Sequence, residues 1–588
     1  MIAVTAPGAS IVAEIHVAPG DAVAQGAALI TTELMKMRHT ITAPDSGIIQ
    51  AIAVDVGAEL ADGQPLLTMT QAPVDAAPGA PPPAPRPELE EFRARMRLLE
   101  DAARPDAVAR RHAAGQRTAR ENIDALFDAG SFTEYGALAV AAQRSAKPLD
   151  SLQATSQGDG IICGIGSVAG RPVAAMAVDY MVMAGTQGYN HHRKMDRLIA
   201  VAGRDRLPIV LFAEGGGGRP NDVDAAPLVV AGLNTPSFAR FAAYRGPKIG
   251  IASGFCFAGN AALFGMCDLR IGTRNSWIGM GGPAMIEGGG LGRVRPDQIG
   301  PSDVQAANGV LDLLVEDEAA AVSAAGTLLA LPQPGRADTP DADLRQAIPA
   351  ERTLAYDMRD VIAGLADPGS FLELRAGFGR GMISGFARIR GRALGLLANN
   401  PLNLGGAIDA EAADKGARFL QLCDAWGLPA VTLCDTPGFM VGPGVEETGQ
   451  VAHVSRLFLA GAHFAQPLVT VILRKAYGLG AMAMAGGGFE RPHYCCAWPT
   501  GEIGAMGLEG AVKLGQRDRL AAIADPAARE AEYQRQVAKL YAAGKALNAA
   551  SLLEFDAVID PSETRAHIER VLASAGPCQP GPRYVDAW

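Results

Sequence analysis

A long internal repeat constrains the fold of this chain more than any other feature of its sequence. Residues 160–217 match residues 381–438 without a gap, at an offset of 221 positions. The residues of the first copy that have an identical counterpart 221 positions later are Gly160, Ile162, Gly164, Gly170, Arg171, Ala177, Gly185, Lys194, Arg197, Leu207, Pro208, Val210 and Gly217. At the same offset, Gly259 falls on Gly480 and Trp277 on Trp498. A repeat of this length predicts a duplicated domain.

The repeated unit has the element order of an α/β fold. In the second copy, the helix-like segment 414–426 leads through Gly427 and Pro429 into the apolar run 430–434. A helix followed by a short apolar strand, repeated along the chain, is typical of a sheet covered by helices. We therefore expect two similar α/β domains.

Each copy also carries two glycine-rich turns. They are residues 214–219 and 254–260 in the first copy and residues 435–439 and 474–480 in the second, with Glu214 falling on Asp435. Such turns free backbone N–H groups to point at a ligand oxygen, particularly where a helix begins. Two N–H groups aimed at one oxygen form an oxyanion hole, which stabilises the enolate of a thioester. A single turn of this kind is more often a tight packing contact, but matched pairs in both copies favour oxyanion holes.

Residues 1–70 contain a second repeat, at an offset of 37 positions. Its matches are Ala6-Pro7 on Ala43-Pro44, Ile11 on Ile48, Ile15 on Ile52, Val17 on Val54, Gly20 on Gly57 and Gly26 on Gly63. Short alternating runs broken by Gly, Pro and Asp predict strands and turns. Because neither half can bury a face alone, we expect the halves to stack into a small all-β barrel with pseudo-twofold symmetry.

Lys36 lies at the join of these halves, within the Glu-Leu-Met-Lys-Met sequence of residues 33–37. That position predicts an exposed hairpin tip, where flexible methionines present the amine to solvent. An isolated Met-Lys-Met would be an ordinary surface site, but the surrounding repeat favours attachment of a prosthetic group. The segment resembles biotinyl domains, in which a lysine between two methionines carries biotin through an amide. Lipoyl domains share the fold but not this pattern.

Residues 71–87 are rich in Pro and Ala and predict a linker. Such a segment cannot build a core and favours extended polyproline II, at ~3.1 Å per residue, with a reach of roughly 50 Å. We interpret it as a tether that raises the concentration of Lys36 at more than one active site, which is compatible with a passive spacer.

Composition argues against several functional classes. A formal net charge of −10 and a pI near 5.5 are not those of a nucleic-acid binder. The eight cysteines include no C-x-x-C pair, so neither a zinc ribbon nor a disulfide framework is expected. We expect a cytoplasmic protein without membrane contact, because neither a signal-peptide pattern nor a membrane-spanning stretch is visible. The adjacent His191 and His192 are not expected to hold a metal.

From about residue 100 to residue 588, the chain resembles the carboxyltransferase β subunits of propionyl-CoA and acetyl-CoA carboxylases. The resemblance is carried by residues 385–389, 398–401, 435–439, 474–478 and 497–500, together with Asp414-Lys415 and Met506-Gly507. It implies an α/β fold of duplicated crotonase-like (ClpP/crotonase) domains behind the biotinyl barrel and its Pro/Ala-rich linker. The implied regions are a biotinyl carrier domain at 1–70, a linker at 71–87, an acyl-CoA domain at 88–335 and a carboxybiotin domain at 336–588.

The same resemblance implies which groups bind the reactants. Backbone amides matching Ala258 and Gly259 are expected to hold the thioester oxygen, and those matching Leu479 and Gly480 the ureido oxygen of biotin. Further substrate contacts are expected from Gly216, Gly217, Gly438 and Met482, with Met484 close by. The family usually has Ala-Gly-Gly at the first hole and Gly-Gly-Ala at the second, where this chain has Phe-Ala-Gly and Gly-Leu-Gly. A shift of either assignment by one residue is therefore left open.

The implied activity is carboxyl transfer from carboxybiotin to the α-carbon of a short acyl-CoA, such as acetyl- or propionyl-CoA, with the cofactor as base. The implied partners are a separate ATP-dependent biotin carboxylase subunit, a biotin protein ligase and further copies of the chain in a hexamer. Two alternatives stay open. One is a subunit of a biotin-dependent decarboxylase or transcarboxylase, and the other is a non-catalytic biotin scaffold, against which the paired glycine turns count.

Overall fold

The structure, a computed structural model, describes residues 1–74, 86–219, 221–224, 235–335, 340–576, 578–581 and 585–588. It divides into two compact units, Met1–Arg93 and Ala94–Trp588. Most of the expected linker, residues 75–85, lies outside the described residues, so its tethering role stays a prediction. The expected boundary after residue 335 also borders residues that are not described.

The first unit contains eight short strands in two four-stranded sheets. The strands are β1 (Ile2–Thr5), β2 (Ser10–Ile15), β3 (Ala22–Val23), β4 (Ala28–Leu34), β5 (Met37–Thr42), β6 (Gly47–Ile52), β7 (Glu59–Leu60) and β8 (Pro65–Gln71). The sheet orders are β1-β8-β6-β3 and β5-β4-β2-β7. Exchanging each strand for its counterpart in the 37-residue repeat converts one order into the other, so the pseudo-twofold symmetry is as predicted.

The two halves of this barrel interleave, whereas the sequence predicted that they stack. Each sheet takes two strands from each half. Their inward side chains, including Leu29, Ile30, Leu66 and Leu67, share one buried core. Because strands of both halves contribute to both sheets, neither half has a core of its own.

The first copy of the large repeat forms a seven-stranded sheet. Its strands are β9 (Thr133–Glu134), β10 (Ile161–Val168), β11 (Arg171–Val178), β12 (Ile209–Gly215), β13 (Lys248–Phe257), β14 (Leu269–Gly279) and β15 (Leu313–Val315), adjacent in chain order. Strands β9–β11 pair antiparallel and β11–β15 parallel. The helices up to its end are α1 (Pro87–Arg97), α2 (Pro105–Ala113), α3 (Ala119–Leu126), α4 (Leu149–Thr155), α5 (Tyr189–Asp205), α6 (Ser237–Ala242), α7 (Gly259–Gly265), α8 (Pro283–Gly288), α9 (Ser302–Ala307) and α10 (Glu318–Leu329).

The second copy forms an eight-stranded sheet of the same plan. Its strands are β16 (Leu372–Leu374), β17 (Met382–Ile389), β18 (Arg392–Asn399), β19 (Ala430–Thr436), β20 (Leu468–Tyr477), β21 (Tyr494–Ala497), β22 (Glu502–Gly504) and β23 (Ala557–Val558). The order is β16-β17-β18-β19-β20-β21-β23, and β22 pairs with β20. The helices are α11 (Met358–Leu365), α12 (Ala410–Trp426), α13 (Pro443–Glu446), α14 (Gln450–His463), α15 (Gly478–Met484), α16 (Leu508–Gly515), α17 (Arg517–Ala521), α18 (Pro526–Ala543), α19 (Ala546–Ala550) and α20 (Thr564–Ser574).

The elements follow the predicted repeat closely, and then its register changes by one. Strands β17, β18 and β19 and helix α12 begin and end 221 residues after β10, β11, β12 and α5. Strands β13 and β20 have equal length and the same burial pattern, but they lie 220 residues apart. The predicted match of Gly259 with Gly480 is therefore wrong by one residue: Gly259 corresponds to Leu479, and Asn260 to Gly480.

The match of the two tryptophans fails for a related reason. Trp277 lies opposite Phe255 in the first sheet, and the counterpart of Phe255 is Lys475, which lies opposite Glu502. Trp498 instead follows the end of β21 and is buried in the core. Insertions between the later strands shift the alignment there, because loops tolerate length changes that strands do not.

Asp312 joins the two copies. Its buried carboxylate is paired with Arg270 of the first copy and with Arg375 and Arg418 of the second. Burial raises the pKa of Asp312, but the three guanidinium groups outweigh this effect and lower its pKa to about 2. One hydrophobic core also holds side chains of both copies, so the two copies are packed as one body.

Candidate active site

Lys36 lies at the tip of a tight hairpin, as its position in the repeat predicts. Strands β4 and β5 end in the pair Leu34 and Met37, which leaves Met35 and Lys36 as a two-residue turn. Both turn residues have positive φ, 51° and 65°, as a type I′ turn requires. Glycine or asparagine would adopt this conformation more easily, so Met35 and Lys36 are locally strained in this turn.

The Lys36 side chain is accessible. It is exposed, and its Nζ has no hydrogen-bond or ion-pair partner in the described part of the chain. The neighbouring Met35 and Met37 are 89% and 75% exposed. A modifying enzyme can reach the amine without unfolding the barrel, which fits the covalent attachment of biotin.

In the first copy, the two glycine-rich turns meet where helix α7 begins. A Cβ on Gly217 would lie 2.9 Å from the Cβ of Ala258 and 3.5 Å from the amide nitrogen of Gly259. The N–H groups of Gly259 and Asn260, the first in the helix, have no partner among the described residues. They are therefore free to donate to a ligand oxygen placed beside Gly217.

The structure changes the role expected of Ala258. Its N–H donates to the carbonyl of Gly279 at 3.0 Å, so it is not available to a ligand. Ala258 instead reverses the chain between β13 and α7, with φ 50° and ψ −119°, a conformation that residues with a Cβ rarely adopt. The available amides are thus those of Gly259 and Asn260, a shift of one residue from the expected pair.

The second copy repeats this arrangement at helix α15. A Cβ on Gly480 would lie 2.7 Å from the Cα of Gly438, so the two turns again touch. The N–H groups of Leu479 and Gly480 have no partner among the residues that the structure describes. The pair expected from the sequence, Leu479 and Gly480, is therefore free to donate.

The remaining expected substrate contacts differ in accessibility. The Gly217 N–H is free among the described residues, whereas that of Gly216 points at the Ala184 carbonyl, at 3.4 Å. Met482 is partly exposed on α15, but Met484 is buried in the core and is not available to a ligand.

The acidic residues at the ends of β12 and β19 are held in buried ion pairs. Glu214 receives two hydrogen bonds from Arg111, at 2.5 and 2.8 Å. Burial raises the pKa of Glu214 to about 7, and Arg111 opposes this effect. The partners of Asp435 are the Tyr356 hydroxyl at 2.8 Å, Arg474 Nε at 3.1 Å and Lys475 Nζ at 2.6 Å. Both carboxylates are engaged through both oxygens, so they fix the turns and are not free general bases.

Sequence reasoning missed the Asn260 and Gln187 pair, which braces the first hole. The Asn260 side-chain nitrogen lies 2.7–2.9 Å from the carbonyl oxygens of Gly185, Glu214 and Gly216, and its oxygen accepts from Gln187 at 2.8 Å. The Gln187 backbone is also bonded to Gly217 and Arg219. The only signal in the sequence was the Asn that follows the Ala-Gly pair.

The described site offers hydrogen-bond donors rather than a nucleophile or a metal centre. No group of three or more His, Cys, Asp or Glu side chains that could hold a metal occurs among the described residues. His191 is fully buried with neither ring nitrogen bonded, and burial lowers its pKa well below the usual value. Separately, no described helix is long and apolar enough to cross a membrane.

Two protein-family models match the chain. Residues 110–576 match the carboxyl transferase domain, and residues 1–69 match the biotin-requiring enzyme domain. A curated relative, the propionyl-CoA carboxylase beta chain of Saccharopolyspora erythraea, is 34% identical over 79% of this chain and 89% of its own length.

Two solved structures share the fold. A single-chain, multi-domain long-chain acyl-CoA carboxylase is 46% identical over 97% of this chain, with a TM-score of 0.78, and this chain spans 56% of its length. The transcarboxylase 12S structure, described as a hexamer assembly with methylmalonyl-CoA bound, is 28% identical with a TM-score of 0.74. The match spans 86% of this chain and the full length of that structure.

Proposed function

This chain belongs to the carboxyl transferase family, and from that premise we propose that it carries biotin on Lys36 and transfers a carboxyl group to the α-carbon of an acyl-CoA. The chain is a biotin-dependent carboxyltransferase of the acyl-CoA carboxylase or transcarboxylase type. The observation that carries the finer proposal is the pair of free amide clusters, one in each copy, at the starts of α7 and α15.

In the first copy, the amides of Gly259 and Asn260 bind the thioester oxygen of the acyl-CoA. Removal of the α-proton places negative charge on that oxygen, and donors already in position stabilise it without reorganisation. Gly217 has no side chain, which leaves room for the thioester beside these donors. Asn260 thus contributes its backbone to the hole and its side chain to the turn that faces it.

In the second copy, the amides of Leu479 and Gly480 hold the ureido oxygen of biotin. When bound, biotin supplies the ureido group on which the carboxyl group is carried. The chain's own residues position and polarise this group, and no side-chain nucleophile is required. Gly438 keeps the facing turn free of a Cβ, as Gly217 does in the first copy.

The acyl group is proposed to be short, acetyl or propionyl, as in the propionyl-CoA carboxylase relative. A longer chain is the second candidate, favoured by the 46% identity with a long-chain acyl-CoA carboxylase. The partly exposed Met482 and the 61% exposed Leu479 on α15 are apolar and adaptable, which suits either. A transcarboxylase would use the same two sets of amides.

The proposed partners are a separate biotin carboxylase subunit, a biotin protein ligase and further copies of this chain. The transcarboxylase 12S structure is described as a hexamer assembly in a multienzyme core, and the Saccharopolyspora relative is named as a beta chain. Large apolar side chains are exposed near both sites, as expected for a surface that another copy covers. They are Met280, Met285 and Leu291 in the first copy and Val441, Leu479 and Met506 in the second.

The deciding experiment runs the transfer backwards with the purified protein. Malonyl-CoA, methylmalonyl-CoA and a long-chain 2-carboxyacyl-CoA are tested for decarboxylation that depends on added free biotin. Turnover of the first two substrates supports the short-chain proposal, and turnover of the third alone supports the long-chain candidate. No turnover of any thioester by a folded, avidin-reactive protein would contradict the proposed site.

A further inference from the structure

A cavity of about 590 Å³ opens beside helix α18 in the second copy. We call it the α18 pocket. It lies between residues 348–350, Arg352, Arg474, residues 499–502 and the side of α18 that carries Tyr541, with Lys545 at its edge. Its volume is that of a site for a small organic molecule, and no role described above uses it.

A buried guanidinium group faces this pocket with one nitrogen to spare. The Arg474 side chain is 97% buried, since only 3% of it is exposed. Its Nε donates to Asp435 and its Nη1 to the Leu354 carbonyl, at 3.1 and 2.8 Å. Its Nη2 has no partner among the described residues, although Arg474 lines the cavity. This nitrogen is therefore available to an acceptor that enters the cavity.

Three cationic side chains line the pocket, and two of them, Arg352 and Arg474, are already paired with Glu509 and Asp435. Lys545 is exposed at the edge, and its Nζ has no ion-pair partner in the described residues. Arg352 lies against the ring of Tyr541, 3.4 Å from its centroid, and shares Glu509 with the Tyr541 hydroxyl. The one acidic residue among those lining the pocket is Glu502, which accepts a hydrogen bond from Tyr477.

Part of the remaining wall is apolar, and Thr500 and Gln534 add polar groups. Ile348, Val537 and Ala538 line the cavity between the cationic groups. A ligand that satisfies the pocket therefore needs an anionic end for Arg474 and Lys545 and an apolar body for the wall between them. A carboxylate matches the planar guanidinium geometry. We propose that the α18 pocket binds a small organic carboxylate with an apolar body, and that its occupancy lowers the rate of carboxyl transfer.

The link to the transfer site runs through Asp435. One oxygen of Asp435 accepts from Arg474 Nε, and the other is paired with Lys475 Nζ. The Lys475 backbone N–H also donates to Asp435, at 3.1 Å, three residues before Gly478. An anion on Nη2 shares the charge of the guanidinium group with Asp435, so occupancy weakens the ion pair that holds the strand end from which the second hole begins.

The test is calorimetric titration of the full-length protein with octanoate, propionate and inorganic phosphate. We expect saturable binding of octanoate, tighter than that of propionate because more of the apolar wall is covered. Lys545→Gln should weaken octanoate binding about tenfold, and Lys539→Gln, an exposed lysine of α18 outside the pocket, should leave it unchanged. The binding readout does not depend on the proposed transfer activity.

Three outcomes would overturn the proposal. Octanoate binding that is insensitive to Lys545→Gln places the ligand elsewhere, for instance at the acyl-CoA site. Binding of phosphate but not of carboxylates refutes the ligand class. Octanoate that binds in a Lys545-dependent way but leaves the kcat of decarboxylation unchanged refutes the coupling to the second hole.

Discussion

Replacing Asn260 by alanine tests whether the Asn260 and Gln187 pair sets the geometry of the first hole. The change removes the whole side-chain amide and keeps the backbone N–H, which is one of the two proposed oxyanion donors. It therefore separates the bracing role of the side chain from the donating role of the main chain. Asn260 is 99% buried, so solvent does not readily replace its side chain.

The expected magnitude follows from the contacts. An amide has two N–H groups, so Asn260 serves two of its three carbonyl neighbours at a time and accepts one bond from Gln187. Leaving a buried partner unpaired costs about 1–3 kcal/mol for each bond, or about 3–9 kcal/mol for three. Part of this cost is relieved by movement of the turn, and a displacement of about 1 Å reduces catalysis on the order of 10²-fold.

The assay is biotin-dependent decarboxylation of the best carboxyacyl-CoA, with kcat and KM measured separately. We expect Asn260→Ala to lower kcat about 10²-fold with a smaller change in KM, because the oxygen is held more tightly in the transition state than in the ground state. Asn308→Ala, at an exposed helix end, is the matched control and should keep both constants. A folded Asn260→Ala enzyme with the wild-type kcat would refute the bracing role.

Three further variants test other parts of the chain. Lys36→Arg keeps the charge and the hairpin but should abolish avidin binding, while decarboxylation with free biotin persists; retained avidin binding would move the attachment site. Gly259→Pro removes a free N–H and should lower kcat about 10²–10³-fold relative to Gly259→Ala. The alanine variant is the control, because its Cβ meets Gln187 in the same way but its N–H remains. Equal rates for the two variants would show that this amide is not a donor. Asp312→Asn should lower the free energy of unfolding at pH 7 by about 3–5 kcal/mol in denaturant titration, whereas Asp297→Asn, in an exposed pair, should have little effect. The folded-state pKa of Asp312 is depressed to about 2, so its stabilisation is present above the unfolded value near 3.8 and is lost as the pH falls towards 2. The difference in unfolding free energy between wild type and Asp312→Asn should therefore narrow over that pH range. A difference that stays constant would contradict the ion-pair role of Asp312.

Much of the fold could be predicted from the sequence because repeats and turn residues act locally. Identical spacings in the two copies predicted strands and helices that begin and end at equivalent positions, from β10 with β17 to β12 with β19. The place of Lys36 between two all-β halves predicted its hairpin tip. The prediction failed after β19, where a connection one residue shorter changed the register without changing the pattern of residue types.

The repeats and turn residues of the amino-acid sequence are enough to predict a small all-β barrel and a duplicated α/β body with paired glycine turns. Which backbone amides are free follows from the folded arrangement of distant segments. Whether the Ala258 N–H is available depends on a carbonyl 21 residues away, Gly279 O, and no local pattern encodes that hydrogen bond. The same holds for Asn260, whose side chain meets three carbonyls from two distant turns, and for Asp312, whose three arginine partners come from both copies. Secondary structure and turns follow from neighbouring residues, whereas hydrogen bonds between distant segments depend on which groups the completed fold brings together.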